Sequence, residues 1–175
     1  AQVLAGAERI HPADLWPVEW RWIRPDVDLD GAVSLAGDGS DRGRMDQAVL
    51  RLMQKGDTTA AAELRDLSLA VVKLNPQGAE GVFWILCSGF FEAVASGSLP
   101  VDLYVKRAAS QVLMQFAAEP RGERHVSERM AKELLFCCAQ ALPETGPKTR
   151  HLEAVRKAYD LGRFVPVDYE SRRYG

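Results

Sequence analysis

Phe83-Trp84-Ile85-Leu86-Cys87-Ser88-Gly89-Phe90-Phe91-Glu92-Ala93 is apolar on nearly every side of a 3.6-residue helix. A surface helix carries one apolar stripe. A helix that is apolar all round is the buried centre of a helical domain. The spacing predicts a central helix over 78–96, with Gly97 and Pro100 bracketing the turn after it.

Reading outward, the flanking segments carry the one-sided period of helices packed on such a centre. On the N-terminal side, a helix over 58–74 places Ala60, Leu64, Leu67, Val71 and Leu74 inward, and Asn75-Pro76 ends it. A helix over 42–54 has Met45, Val49, Leu52 and Met53 on one face; Gly56 stops it and Asp57 caps its successor. On the C-terminal side, a helix over 101–118 starts near Asp102 and buries Val105, Ala109, Val112 and Phe116. A helix over 126–142 buries Met130, Leu134, Cys137, Cys138 and Ala141. A last helix over 149–161, with Thr149 as its cap, buries Leu152, Val155 and Tyr159.

Short loops between successive helices favour antiparallel neighbours. The fold class expected is all-α, an antiparallel bundle of about six helices resembling a phosphotransfer domain. Residues 1–43 form an irregular Trp-rich segment and loop, 44–162 the bundle, and 163–175 a tail without a period. In the first part, His11-Pro12 and Trp16-Pro17 break any helix. Val18 to Arg24 alternates like a strand but is too short and isolated to make a sheet, and Asp26 to Gly43 reads as a Gly- and Asp-rich loop.

Bulk properties exclude several classes. Hydrophobic residues make up 47% and charged ones 26% of 175 residues, an ordinary globular balance. The formal charge of −2 offers nothing to draw in nucleic acid or anionic lipid. The longest uninterrupted apolar run, near Val82 to Leu86, is too short to span a bilayer, and no basic segment precedes a signal-like core. Three cysteines, Cys87, Cys137 and Cys138, lie in apolar helical patterns and read as reduced core residues of a cytoplasmic protein. Ala1 at the start and the abrupt end at Gly175 read as a piece of a longer protein.

The chain carries no recognisable catalytic or cofactor motif. A phosphotransfer histidine sits exposed in mid-helix with a lysine three residues later. None of His11, His125 and His151 has that arrangement, and all three read as solvated surface residues. Adjacent Cys137 and Cys138 point about 100° apart on a helix and do not serve one metal easily. Gly37-Asp38-Gly39 lies in an acidic loop without a lysine, the wrong field for a phosphate. No cofactor or metal is expected, and no catalytic residue. Candidate contact residues are Trp16, Trp20 and Trp22, which either clamp onto the bundle or anchor a partner, and Lys106 and Arg107 on the fourth helix.

Several stretches in order carry a resemblance. They are Asp14-Leu15-Trp16 with Glu19-Trp20-Arg21-Trp22; Met45-Asp46-Gln47-Ala48-Val49-Leu50-Arg51-Leu52-Met53; Phe83-Trp84 with Phe90-Phe91-Glu92-Ala93; Val105-Lys106-Arg107-Ala108-Ala109-Ser110; Ser127 to Phe136; and Pro166-Val167-Asp168-Tyr169-Glu170. Over about residues 10–175 the chain resembles the N-terminal region of the chemotaxis-like hybrid histidine kinases that control type IV pili (the ChpA/PilL type), and the related scaffold protein FimL. The resemblance implies a cytoplasmic two-component array with phosphotransfer domains, a kinase core and a receiver, and control of twitching motility. For this segment it implies a non-catalytic scaffold or docking module whose partners are proteins of a pilus chemosensory array. Two rivals stay open: an active phosphotransfer domain using His125 or His151, and a thiol enzyme using Cys137 or Cys138.

Overall fold

The computed structural model describes residues 20–29, 32–74, 77–118, 126–142 and 147–161. Among them are six α-helices, a short 3-10 turn and no strand. The helices are α1 (Ser40–Lys55), α2 (Thr58–Leu74), α3 (Gly78–Ala95), α4 (Leu103–Ala118), α5 (Glu128–Gln140) and α6 (Arg150–Ala158), with the 3-10 turn Pro147–Thr149 leading into α6. The expected helices are all present, and their ends differ by three residues at most.

Local chemistry sets those ends. The Asp38 carboxylate accepts from the Ser40 amide at 3.0 Å and its hydroxyl at 2.6 Å, opening α1. Gly56 closes it in the left-handed region (φ 60°), its amide reaching back to the Leu52 carbonyl at 2.9 Å. Asp57, Asp102 and Ser127 supply side-chain oxygens to the amides of Thr59 (2.9 Å), Val105 (2.9 Å) and Met130 (3.2 Å), capping α2, α4 and α5.

α3 is the axis of the bundle. Every residue from Gly81 to Val94 is buried. It packs most extensively against α2, from which a three-residue connection separates it, and also against α5 and α6; α1 closes on α2 and α4. By length and composition α3 could cross a membrane, but most of it is buried inside the bundle, as a core helix is. Phe83, Trp84, Phe90 and Phe91 are fully enclosed, and each such side chain contributes about 1.5–3 kcal/mol on leaving water. Trp84 meets Phe83 and Phe116 edge-on, with ring centroids 5.2 and 6.1 Å apart.

Two inward assignments change. Leu74 is 65% exposed: as the last residue of α2 it keeps the helical period, but the period does not tell where the partner's surface stops. Met130 is only half-buried, in the first turn of α5.

The described residues before α1, 20–29 and 32–39, have no regular secondary structure; the strand-like alternation of Trp20 to Arg24 forms no ladder. They run over the bundle as a strap. Trp20, Trp22, Val27, Leu29 and Leu35 pack half-buried on the core. Lys73 of α2 donates to the Ala32 carbonyl (3.0 Å) and Ser34 Oγ (3.1 Å). Buried Asp41 accepts from the amides of Ala36 (2.9 Å) and Gly37 (3.0 Å).

Candidate interaction surface

Trp16 lies outside the described residues. Trp20 stacks on Tyr159 just past α6 (centroids 5.8 Å apart, planes at 16°), and Trp22 meets Trp20 edge-on at 5.0 Å. The Tyr159 hydroxyl donates to the Arg21 carbonyl and accepts from the Ile23 amide, both at 2.8 Å. One tyrosine thus grips Trp20 by its ring and Arg21 and Ile23 by its hydroxyl. Burial pushes its phenol above the usual value.

Lys106 and Arg107 lie elsewhere, on α4, which packs on α1 and α5. Arg107 is exposed and Lys106 half-buried. Leu103 (59% exposed), Tyr104 (40%) and Met114 (70%) share the solvent side of α4 with Arg107. Leu103, Arg107 and Met114 are spaced four and seven residues apart, so they form one stripe. The structure does not join the Trp and Lys-Arg groups into one site: the Trp residues meet Tyr159 just past α6, and the cations lie on α4.

The histidine expectation is corrected at His151; His11 and His125 lie outside the described residues. His151 is buried, at 4% exposure, in the first turn of α6. Its Nδ1 lies 2.7 Å from Glu92 Oε2, while Glu92 Oε1 accepts from the backbone amides of His151 (2.6 Å) and Leu152 (3.0 Å). The Arg65 guanidinium stands 3.6 Å from Oε2. Thr149 occupies the cap position of α6 but makes no side-chain capping bond; Glu92 supplies it from α3. The physical reason is charge. A carboxylate sealed in apolar surroundings needs donors, and the open amides of a helix N-terminus provide them with a favourable dipole. With Nδ1 engaged, Nε2 is the nitrogen left to accept a phosphoryl group, and it is buried without a hydrogen-bond partner among the described residues. This geometry fastens helices; it does not present a phosphoacceptor.

At its far end α6 is tied again. Arg156 Nη1 donates to the carbonyls of Cys138 (2.8 Å), Ala139 (3.4 Å) and Ala141 (3.3 Å), closing the C-terminus of α5. Between the two ties, a Cβ on Gly89 of α3 would sit 2.8 Å from Val155 Cγ2, so glycine permits the close approach of α3 and α6.

The thiols do not make a nucleophilic site. All three are free and buried. Burial pushes Cys87 and Cys137 well above the ordinary thiol value and Cys138 up to about 12. A nucleophilic cysteine needs the opposite, a depressed pKa and access. Among the described residues, no group of three or more His, Cys, Asp or Glu side chains could hold a metal.

Sequence reasoning missed Glu92 as a structural centre. Its signal was present: the one carboxylate in the apolar run from Val82 to Ala95. Such a charge must find partners in a core.

No curated protein and no solved structure matches the chain. A family model described as the FimL scaffold protein second domain matches residues 35–172, from just before α1 to beyond α6. Of the two relatives that the sequence resembles, the scaffold protein is the one matched. The chain belongs to the FimL scaffold protein second-domain family.

Proposed function

We propose that the chain is a non-catalytic protein-interaction module of a cytoplasmic chemotaxis-like two-component system that regulates type IV pili and twitching motility, and that its α4 face is a contact surface. Membership of a scaffold family supports a role in holding proteins together. The observation that carries the choice of surface is the exposed Leu103–Arg107–Met114 stripe. Large apolar side chains held in water around a cation are what a protein contact buries, and an exposed methionine adapts readily to a partner's shape. The cysteine and His151 environments fit the same reading, since both are used for packing. The array partners follow from the kinase resemblance of the sequence.

The test is co-purification of the chain with the proteins of a pilus chemosensory array, comparing wild type with Arg107→Glu and Met114→Asp. Loss of capture with an unchanged helical spectrum supports the reading. Equal capture by both variants removes α4 as the contact surface. Label transferred to the chain from an autophosphorylated chemotaxis-type kinase would overturn the non-catalytic assignment.

A further inference from the structure

The strap is attached to the bundle in an unusual way for a piece of a fold. Beside the apolar packing of Val27, Leu29 and Leu35, its ties include hydrogen bonds from single side chains of the bundle: Tyr159 to Arg21 and Ile23, Lys73 to Ala32 and Ser34, Asp41 to Ala36 and Gly37. Trp20 and Trp22 are half-buried where they meet the bundle, whereas the core beneath is closed by α-helical residues at or near zero exposure. Trp20 Nε1 is buried without a hydrogen-bond partner among the described residues, so the seat takes the indole for its face and not for its donor. The family match begins at residue 35. Tyr159 and Lys73 fall inside the matched domain, and the strap residues that they hold, Trp20 to Ser34, fall before it; Asp41 holds Ala36 and Gly37 within it.

This is how a receptor holds a peptide. A stacked aromatic anchor, a hydroxyl that both donates to and accepts from the peptide backbone, and a lysine on a peptide carbonyl are the elements of peptide recognition. We propose that the bundle face around Tyr159 is a seat for a Trp-x-Trp segment, occupied by the chain's own strap as a tethered, releasable ligand. The tether raises the local concentration of the strap and keeps the seat filled. An untethered copy of the same segment, free or on a second chain, then competes only weakly until the resident strap is disabled. The inference does not depend on the array reading, because it concerns a segment and a seat within one chain.

The experiment uses the full chain and a fluorescein-labelled peptide of residues 18–29 (Val18 to Leu29). Binding is read by anisotropy for wild type and for the Trp20→Ala/Trp22→Ala double variant, whose seat residues are untouched. The expected result is a folded variant with an unchanged helical spectrum that binds the peptide saturably and at least about tenfold more tightly than wild type does, the gap reflecting lost competition from the tether. A peptide with both tryptophans replaced by alanine should not bind. The inference is overturned if the folded variant shows no Trp-dependent binding. It is equally overturned if the double variant loses its cooperative thermal transition, since the strap would then be part of the core and not a ligand of it.

Discussion

Glu92 and His151, 59 residues apart in sequence, form a buried pair in which the carboxylate of α3 meets both the imidazole and the backbone amide of the histidine. The N-terminal cap of α6 is therefore supplied by another helix. A capping side chain at the helix's own start orders only that turn. A cap from α3 also fixes where α6 sits on the bundle.

The first prediction concerns this pair. Removing a partner of a buried carboxylate strands the other group, at a cost of about 3–5 kcal/mol. Glu92→Ala should lose stability in that range by urea denaturation, and His151→Ala should lose somewhat less. The double variant should fall short of the sum by more than about 1 kcal/mol, because the two side chains share one interaction. Strict additivity would show that the pair is not coupled.

Gly89 gives a steric prediction. A methyl placed 2.8 Å from Val155 Cγ2 must push α6 away or twist a side chain. Gly89→Ala should destabilise by about 1–3 kcal/mol despite the better helix propensity of alanine. Adding Val155→Ala should recover part of the loss. A Gly89→Ala chain with a raised melting temperature would show that α6 moves aside freely.

At the other end of α6, Arg156→Met keeps much of the side-chain volume and removes the guanidinium from the three carbonyls closing α5. Hydrogen bonds from a charged donor contribute about 1.5–3 kcal/mol. The variant should lose stability on that scale, and hydrogen exchange should quicken at the last turn of α5 before it does in α3. Unchanged exchange there would mean that the carbonyls are satisfied otherwise.

The thiols give a pH prediction. Their folded-state pKa values lie above the ordinary value of 9.0, Cys138 at about 12, so the neutral form is favoured by folding. A group with a raised folded pKa contributes stability that is fully present below the unfolded value and is lost as pH rises through the folded one. The urea midpoint should accordingly be insensitive to thiol ionisation up to about pH 8 and fall through the alkaline range above pH 9. Cys138→Ala should flatten part of that fall relative to its own value at pH 8. Rapid modification of all three thiols in the native state at pH 8 would contradict the burial described here.

The helices were legible because each carries its own local signals. Gly56, Asp57 and Asp102 mark ends within a residue or two of where they act, and the all-round apolarity of Phe83 to Ala93 identifies the axis without reference to any other element. Leu74 shows the limit of the period: it continues to the last residue of a helix whether or not a partner lies opposite. His151 shows a different limit. Its polarity reads as surface, and only the position of Glu92 across the bundle explains its burial. The Arg156 closure of α5 is hidden for the same reason, since donor and acceptors belong to different helices. At the candidate surface, Trp20, Trp22 and Arg107 were visible as residue types, but their separation onto α6 and α4 depends on the packing of the whole bundle.

The double fastening of α6 bears on how the chain is made. During synthesis the chain leaves the ribosome from its N-terminus, so α3 emerges well before α6. Until His151 and Leu152 follow, the Glu92 carboxylate has no amides to meet; until Arg156 follows, the last carbonyls of α5 stay open. A nascent chain halted at the end of α5 would hold a carboxylate that resists burial inside the segment that most needs to be buried. Arg65, which precedes α3, is already present to face that carboxylate, but we expect the bundle to reach its final packing only when its last helix is free to dock.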